Sequence, residues 1–89
     1  MHSETTRAFW KCFDSLPDNI QVSAKRSYIL WRENPKHPSV NFKRVSRKQS
    51  VYSARVSIDY RALGLLNGDK VTWFWIGSHS DYDKLLKSL

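Results

Sequence analysis

The stretch 51-VYSARVSIDYRALGLLNGDKVTWFWIG-77 decides the fold. Over Val51–Ile58 the residues alternate: Tyr52, Ala54, Val56 and Ile58 point one way, and Ser53, Arg55 and Ser57 point the other. That period of two is the mark of a half-buried strand. Asp59 reads as a turn, and Tyr60–Leu66 as the strand returning from it. Asn67-Gly68 is a hairpin signal, because both residues tolerate positive φ. Val71–Ile76 is apolar on both parities, which predicts a central strand covered on both faces. Gly77 is expected to end it.

Upstream, Val40–Val45 reads as one more strand. It follows a His37-Pro38 loop and leads into the cationic turn Arg47-Lys48-Gln49-Ser50. Before that the period changes. Phe9, Phe13 and Leu16 follow i, i+4, i+7 spacing within a helix expected over about Glu4–Leu16. Pro17 interrupts it. Asp18 stands three residues before Gln21, an Asp version of capping-box spacing. A second helix then runs to about Glu33, with Ile20, Ala24, Tyr28 and Trp31 on one stripe. Asn34-Pro35 ends it, because a residue before proline is driven out of the helical region. Residues 1–3 are polar and read as loose. Downstream, Ser78–Leu89 reads as a short helix with Tyr82, Leu85, Leu86 and Leu89 as its apolar stripe. Helices grouped before hairpin-linked strands argue an α+β fold. An N-terminal αα-hairpin packs on an antiparallel sheet of about four strands, followed by a short C-terminal helix, all in one domain over 1–89.

The 89 residues carry a formal charge of +7, and 40% are hydrophobic, with four each of Trp, Tyr and Phe to fill a small core. The charge favours an acidic partner, whether nucleic acid, an anionic membrane or an acidic protein, although many basic domains simply carry a solvated basic face. Cys12 is the one cysteine, in an apolar setting between Phe9 and Phe13, and reads as a small buried hydrophobe. No leader pattern opens the chain, and no apolar run nears the roughly 20 residues of a membrane helix. A cytoplasmic protein with no membrane partner is the expectation. There is no nucleophile elbow, P-loop, HExxH or CxxC. His2, His37 and His79 are scattered without ligand spacing, so neither a metal nor a cofactor is expected.

The polar residues within the strands stand out. Lys43 and Arg44 end the first strand, Arg47 and Lys48 fill the next turn, Arg55 lies on the polar side of its strand, and Arg61 follows the Asp59-Tyr60 turn. Gathered on one face, such residues bind phosphates, arginine through its planar fork. The alternative is a solvated face with Asp59 paired to an arginine. His79 follows Gly77-Ser78, and an imidazole, which can both take up and release a proton, suits acid–base work at a phosphodiester. Tyr82 is three residues on. The alternative here is that Ser78 or His79 caps the helix and Tyr82 packs in the core.

The segments Phe9–Leu16, ENPKHPSVNFKRV at 33–45, VYSARVSIDYRAL at 51–63 and VTWFWIGSHSDYDKLL at 71–86 together resemble the RelE/ParE superfamily of type II toxin–antitoxin toxins. The resemblance spans nearly the whole chain. It implies two helices on a twisted antiparallel sheet, often preceded by a short first strand, which here would come from Met1–Thr6. RelE-like members are metal-independent endoribonucleases, commonly acting on mRNA in the ribosomal A site. ParE-like members inhibit DNA gyrase. A cognate antitoxin usually wraps the toxin and blocks it.

By that resemblance Arg61 corresponds to the arginine at the scissile phosphate and Arg55 to a second sheet arginine. Lys43 and Arg44 lie where ribosome-binding members are basic, with Arg47 and Lys48 as further RNA-binding candidates, and His79 and Tyr82 lie in the C-terminal region that supplies a His or Tyr. Residues 39–50 contain no acid where some RNase members have a glutamate. The implied activity is an RNA endonuclease in which the 2′-OH attacks its own phosphate. His79 acts as acid or base, Arg55 and Arg61 neutralise charge, and Tyr82 orients the RNA. The alternatives are a gyrase inhibitor without chemistry and an inactive antitoxin-binding relative. Trp73–Trp75 and the C-terminal LLKSL are expected to form an apolar patch that an acidic antitoxin covers. Oligomeric state is left open.

Overall fold

The computed structural model describes residues Met1–Leu89. The elements are β1 (His2–Thr5), α1 (Arg7–Asp14), α2 (Asp18–Glu33), β2 (Lys43–Arg44), β3 (Val51–Ser57), β4 (Tyr60–Asn67), β5 (Lys70–Ser78) and α3 (His79–Ser88). The strands form one sheet in the order β1-β5-β4-β3-β2. β1 runs parallel to β5, and every other pairing is antiparallel. The architecture is α+β, with α1 over β5, α2 over β3, and α3 against the other face of β4 and β5. No helix is long and apolar enough to cross a membrane.

The sheet has five strands rather than about four and is mixed, because residues 2–5 are not loose. A sheet edge needs only backbone partners, and β1 obtains them from β5. Its polar side chains fit an edge position, where Glu4 pairs with Lys70 Nζ at 3.5 Å. The first helix starts at Arg7 instead of Glu4, because Thr6 Oγ1 accepts the Phe9 N–H at 3.1 Å as its N-cap. Asp18–Gln21 forms no capping box. Gln21 Nε2 instead donates to the Phe13 and Leu16 carbonyls at 3.1 and 3.2 Å, closing the open end of α1.

The strand expected over Val40–Val45 shrinks to Lys43–Arg44. Val40 O already accepts the Arg55 N–H, but Asn41 then takes φ +47°, a left-handed turn that breaks the run. The β4–β5 turn is centred on Gly68-Asp69, not Asn67-Gly68. Asn67 pairs with Lys70, and only Gly68 has positive φ, +64°. Ile58 belongs to the β3–β4 turn and is 72% exposed.

Two bulges shape the sheet. In β3, Val56 is the extra residue between the Arg55–Arg61 and Ser57–Tyr60 pairs. Its carbonyl accepts from Ser27 Oγ at 3.1 Å, which fastens α2 to the sheet. In β5, Phe74 falls between the Trp73–Gly64 and Trp75–Leu63 pairs. The phase therefore flips. Val71, Trp73 and Ile76 pack under the helices with Phe9, Phe13, Trp31, Ala54, Val56 and Ala62, while Phe74 and Trp75 join Val51, Leu63 and Tyr82 on the α3 side. The central strand is covered on both faces, as its composition predicts.

Gly77 continues β5 instead of ending it. Gly64 is required by close approach. A Cβ there would lie 2.5 Å from Val71 Cγ1 and 2.9 Å from Trp73 Cε3. Gly64→Ala is expected to destabilise by about 1–3 kcal/mol through overpacking, read as a lower urea midpoint at unchanged m-value.

Candidate functional site

The candidate site lies on the α3 side of the sheet. Register brings Arg55 directly opposite Arg61, and Arg61 opposite Gly77. Alternation puts both arginines on the same face as Leu63, which packs against α3. Lys43, opposite Ser53, shares that face at the β2 edge.

The two arginines differ. Arg55 is exposed and its side chain makes no hydrogen bond. Arg61 is half-buried, and its Nη1 donates to the carbonyls of Ser57, Tyr60 and Ile58 at 2.6, 2.9 and 3.3 Å. One arm of its fork therefore holds the β3–β4 turn, while Nε and Nη2 have no protein acceptor. Asp59 pairs with no arginine. Its carbonyl accepts the His79 N–H at 2.6 Å, tying the start of α3 to that same turn.

Ser78 is the helix cap, its Oγ accepting from Asp81 N at 3.2 Å, so the His79 ring is free of capping. His79 Nδ1 contacts Asp83 Oδ2 at 3.1 Å, one helical turn on, and its side chain is 45% exposed. Nε2 has no protein partner. A carboxylate on one ring nitrogen selects the tautomer and orientation that the other presents. Asp83 was not singled out from the sequence, although the i, i+4 spacing on a helix is a readable signal.

Tyr82 is in the core rather than at the open site. It is 6% exposed, packed with Val51 and Leu63, and meets the His79 ring edge-on at 5.5 Å. Its part is to anchor α3 and support the imidazole.

All four basic residues at 43–48, Lys43, Arg44, Arg47 and Lys48, are exposed. Arg44 is committed to its own loop, with Nε on Ser46 O at 2.9 Å and Nη2 on Gln49 O at 3.4 Å. The only ion pairs join His2–Asp69, Lys70–Glu4 and His79–Asp83, so Lys70 alone among the fifteen Lys and Arg meets a carboxylate. The positive face keeps its field. No three His, Cys, Asp or Glu side chains gather as metal ligands.

The apolar patch expected at Trp73–Trp75 and the C-terminus forms only in part, from Trp75, Leu85 and Leu86, each partly buried, and without Trp73. Trp73 is 5% exposed under the helices, and Leu85 and Leu86 pack against the α3-side cluster. The β5 bulge puts Trp73 and Trp75 on opposite faces. A further accessible apolar surface lies on the helical side. There a groove of about 490 Å³ runs between α1, α2 and the sheet, lined by Phe9, Trp10, Tyr28, Ile29, Trp31 and Trp73, with Lys25 and Ser27 among its polar residues.

A family model described as the ParE-like toxin domain matches residues 18–84. Among solved structures, a chain of the RelB–RelE antitoxin–toxin complex from Methanococcus jannaschii is similar at TM-score 0.73 and 18% identity, covering 91% of this chain and 96% of that one. The YoeB/ParE toxin from Agrobacterium tumefaciens is similar at TM-score 0.70 and 10% identity, covering 89% and 99%. YafQ from E. coli is similar at TM-score 0.67 and 13% identity, covering 90% and 94%. At such identities the likeness is one of fold. No curated protein sequence matches the chain. The family match spans three helix- and strand-bearing quarters of the molecule, including both arginines and His79, and by it this chain belongs to the ParE-like toxin domain family of toxin–antitoxin toxins.

Proposed function

We propose that this toxin is a metal-independent endoribonuclease that cleaves mRNA and so arrests translation. The observation that carries the reading is the cross-strand pair Arg55–Arg61, free of carboxylates, with Arg61 opposite Gly77 and the exposed imidazole of His79, held by Asp83, two residues further along the chain. In the reaction a ribose 2′-oxygen attacks the adjacent phosphorus and the bond to the 5′-oxygen breaks, leaving a 2′,3′-cyclic phosphate and a 5′-hydroxyl. His79 Nε2 handles a proton, either removing it from the 2′-OH or delivering it to the leaving 5′-oxygen, an effect of about 10²–10⁴-fold. Arg55 and the free Nε and Nη2 of Arg61 meet the charge that builds on the phosphate. Lys43, Arg47 and Lys48 extend the phosphate track along the message or the ribosome, with Arg44 shaping their loop. Tyr82 holds the imidazole from behind.

The neutralising partner is a cognate antitoxin. Its acidic residues meet the cationic face, and its apolar side chains enter the groove between α1, α2 and the sheet. The cytoplasm, where message and ribosome are, is the site of action.

A second reading, a gyrase inhibitor without chemistry, draws on two observations: Arg61 spends one arm on the turn, and Tyr82 is buried. One induction experiment separates the two. Expression without antitoxin is expected to arrest growth, with discrete cuts in primer extension across abundant transcripts. Co-expression of a short acidic reading frame adjoining the gene is expected to relieve the arrest. DNA breaks and an SOS response with uncut transcripts would establish the gyrase reading instead.

A further inference from the structure

The four indoles are placed differently. Trp10 Nε1 donates to Thr5 Oγ1 at 2.8 Å. Trp31 and Trp73 are buried, their N–H groups without partners. Trp75 is partly exposed, and its Nε1 is neither bonded nor buried. The β5 bulge at Phe74 carries it off the helix side and onto the α3 side with Leu63, its register partner.

Gly77 fixes where the ring lies. A Cβ at Gly77 would stand 2.5 Å from Trp75 Cζ2 and 2.9 Å from Cη2. The six-membered ring therefore leans along the strand and fills the space over Gly77. Gly77 is opposite Arg61, Arg61 is opposite Arg55, and His79 follows two residues later. The register thus sets a flat aromatic surface on the sheet face that carries Arg61 and Arg55, at the end of β5 that leads into His79. Every nucleobase has a π face, and aromatic side chains beside cationic ones are the general means of gripping unpaired bases with their phosphates.

We propose that Trp75 is the platform on which an unpaired RNA base stacks, while Arg55 and Arg61 hold the neighbouring phosphate. The inference rests on the RNA reading above and goes further by naming the feature recognised: a single-stranded base, with purines favoured by their larger stacking area. A base stacked inside a duplex has no free face to offer, so the platform selects single strands.

The test uses the intact chain and a short single-stranded oligoribonucleotide, 2′-O-methylated to block cleavage and carrying 2-aminopurine. Wild type is expected to quench the 2-aminopurine on binding. Trp75→Leu is expected to bind roughly 5- to 100-fold more weakly and to lose the quench, and Trp75→Phe to retain most of both. Arg55→Ala is expected to weaken binding and flatten its salt dependence while keeping the quench at saturation. A folded Trp75→Leu with wild-type affinity and quenching would overturn the platform and leave the RNA reading standing. If Trp75→Leu fails to fold, an abasic nucleotide in place of the 2-aminopurine decides in wild type: an equal loss of affinity supports stacking, and no loss removes it. Wild type that binds no RNA at low salt would remove both readings together.

Discussion

Replacing Arg55 and His79 together with alanine is expected to lower RNA cleavage by at least about 10³-fold while leaving the thermal midpoint within a few degrees of wild type. Arg55 is the cleaner of the two arginines to remove. It is exposed and makes no hydrogen bond, so its truncation falls in the range of surface substitutions, within about 0.5 kcal/mol. Arg61→Ala would also release three carbonyls of the β3–β4 turn, to which His79 is itself tied through Asp59, and activity loss there would mix chemistry with misplacement. His79→Ala removes one exposed i, i+4 contact with Asp83 and the edge-on contact with Tyr82, each of small energetic value. The two single losses are not expected to add, since both act on one phosphate. Cleavage of a defined transcript, with thermal unfolding measured on the same samples, checks the prediction. A double variant that cuts at the wild-type rate would end the nuclease assignment.

The largest effect on folding is expected at Trp31. It is 1% exposed and stands at the centre of the helix-side layer, edge-on to Trp73 at 5.4 Å and to Phe42 at 5.7 Å, and stacked on Tyr28 at 5.9 Å. Trp31→Ala is expected to cost about 3–5 kcal/mol. An 89-residue domain has a total stability on the order of 4–13 kcal/mol, so this variant should be largely unfolded or close to it. Trp31→Phe should cost markedly less than its volume suggests. The indole N–H is buried without a partner, and the substitution removes that unpaired donor along with the lost area. Urea unfolding of the two variants side by side measures the difference. A Trp31→Phe loss as large as its removed area predicts would mean that the buried N–H carries no penalty.

Much of the fold is legible in periodicity. Ala54 and Val56 are buried on one side of β3 as their alternation requires, Trp31 is buried on its helical stripe, and the two-sided apolarity of Val71–Ile76 marks the central strand. What periodicity misses are events in which side-chain chemistry and backbone partnership diverge. β1 is polar and still a strand, because β5 supplies its hydrogen bonds. Asn41 and Phe74 each change the phase of a run through one backbone event, and nothing in the local pattern announces either. Gly77 has the look of a strand breaker and is instead the space that Trp75 fills.

The site is legible in part. Arg55 and Arg61 flank one readable turn, but the Ser57–Tyr60 closing pair alone would set Arg55 opposite Ala62, and it is the bulge at Val56 that shifts the register and brings the two arginines opposite each other. The family resemblance adds which residues to weigh, and the match over residues 18–84 establishes the family. The use of one arm of Arg61 on the turn, the burial of Tyr82 and the partnership of His79 with Asp83 depend on distances that spacing does not encode.

By itself, the chain's order of residues determined the α+β architecture, the αα-hairpin, the central strand and the cationic character of the 43–61 region. These follow from local periodicity and composition, which act over a few residues. Only the tertiary structure decided which indole reaches the α3 side, which arginine keeps a free fork and which face carries the open apolar groove. Those outcomes depend on bulges and on backbone pairings between distant segments, where a single inserted residue reverses the side to which every later side chain points.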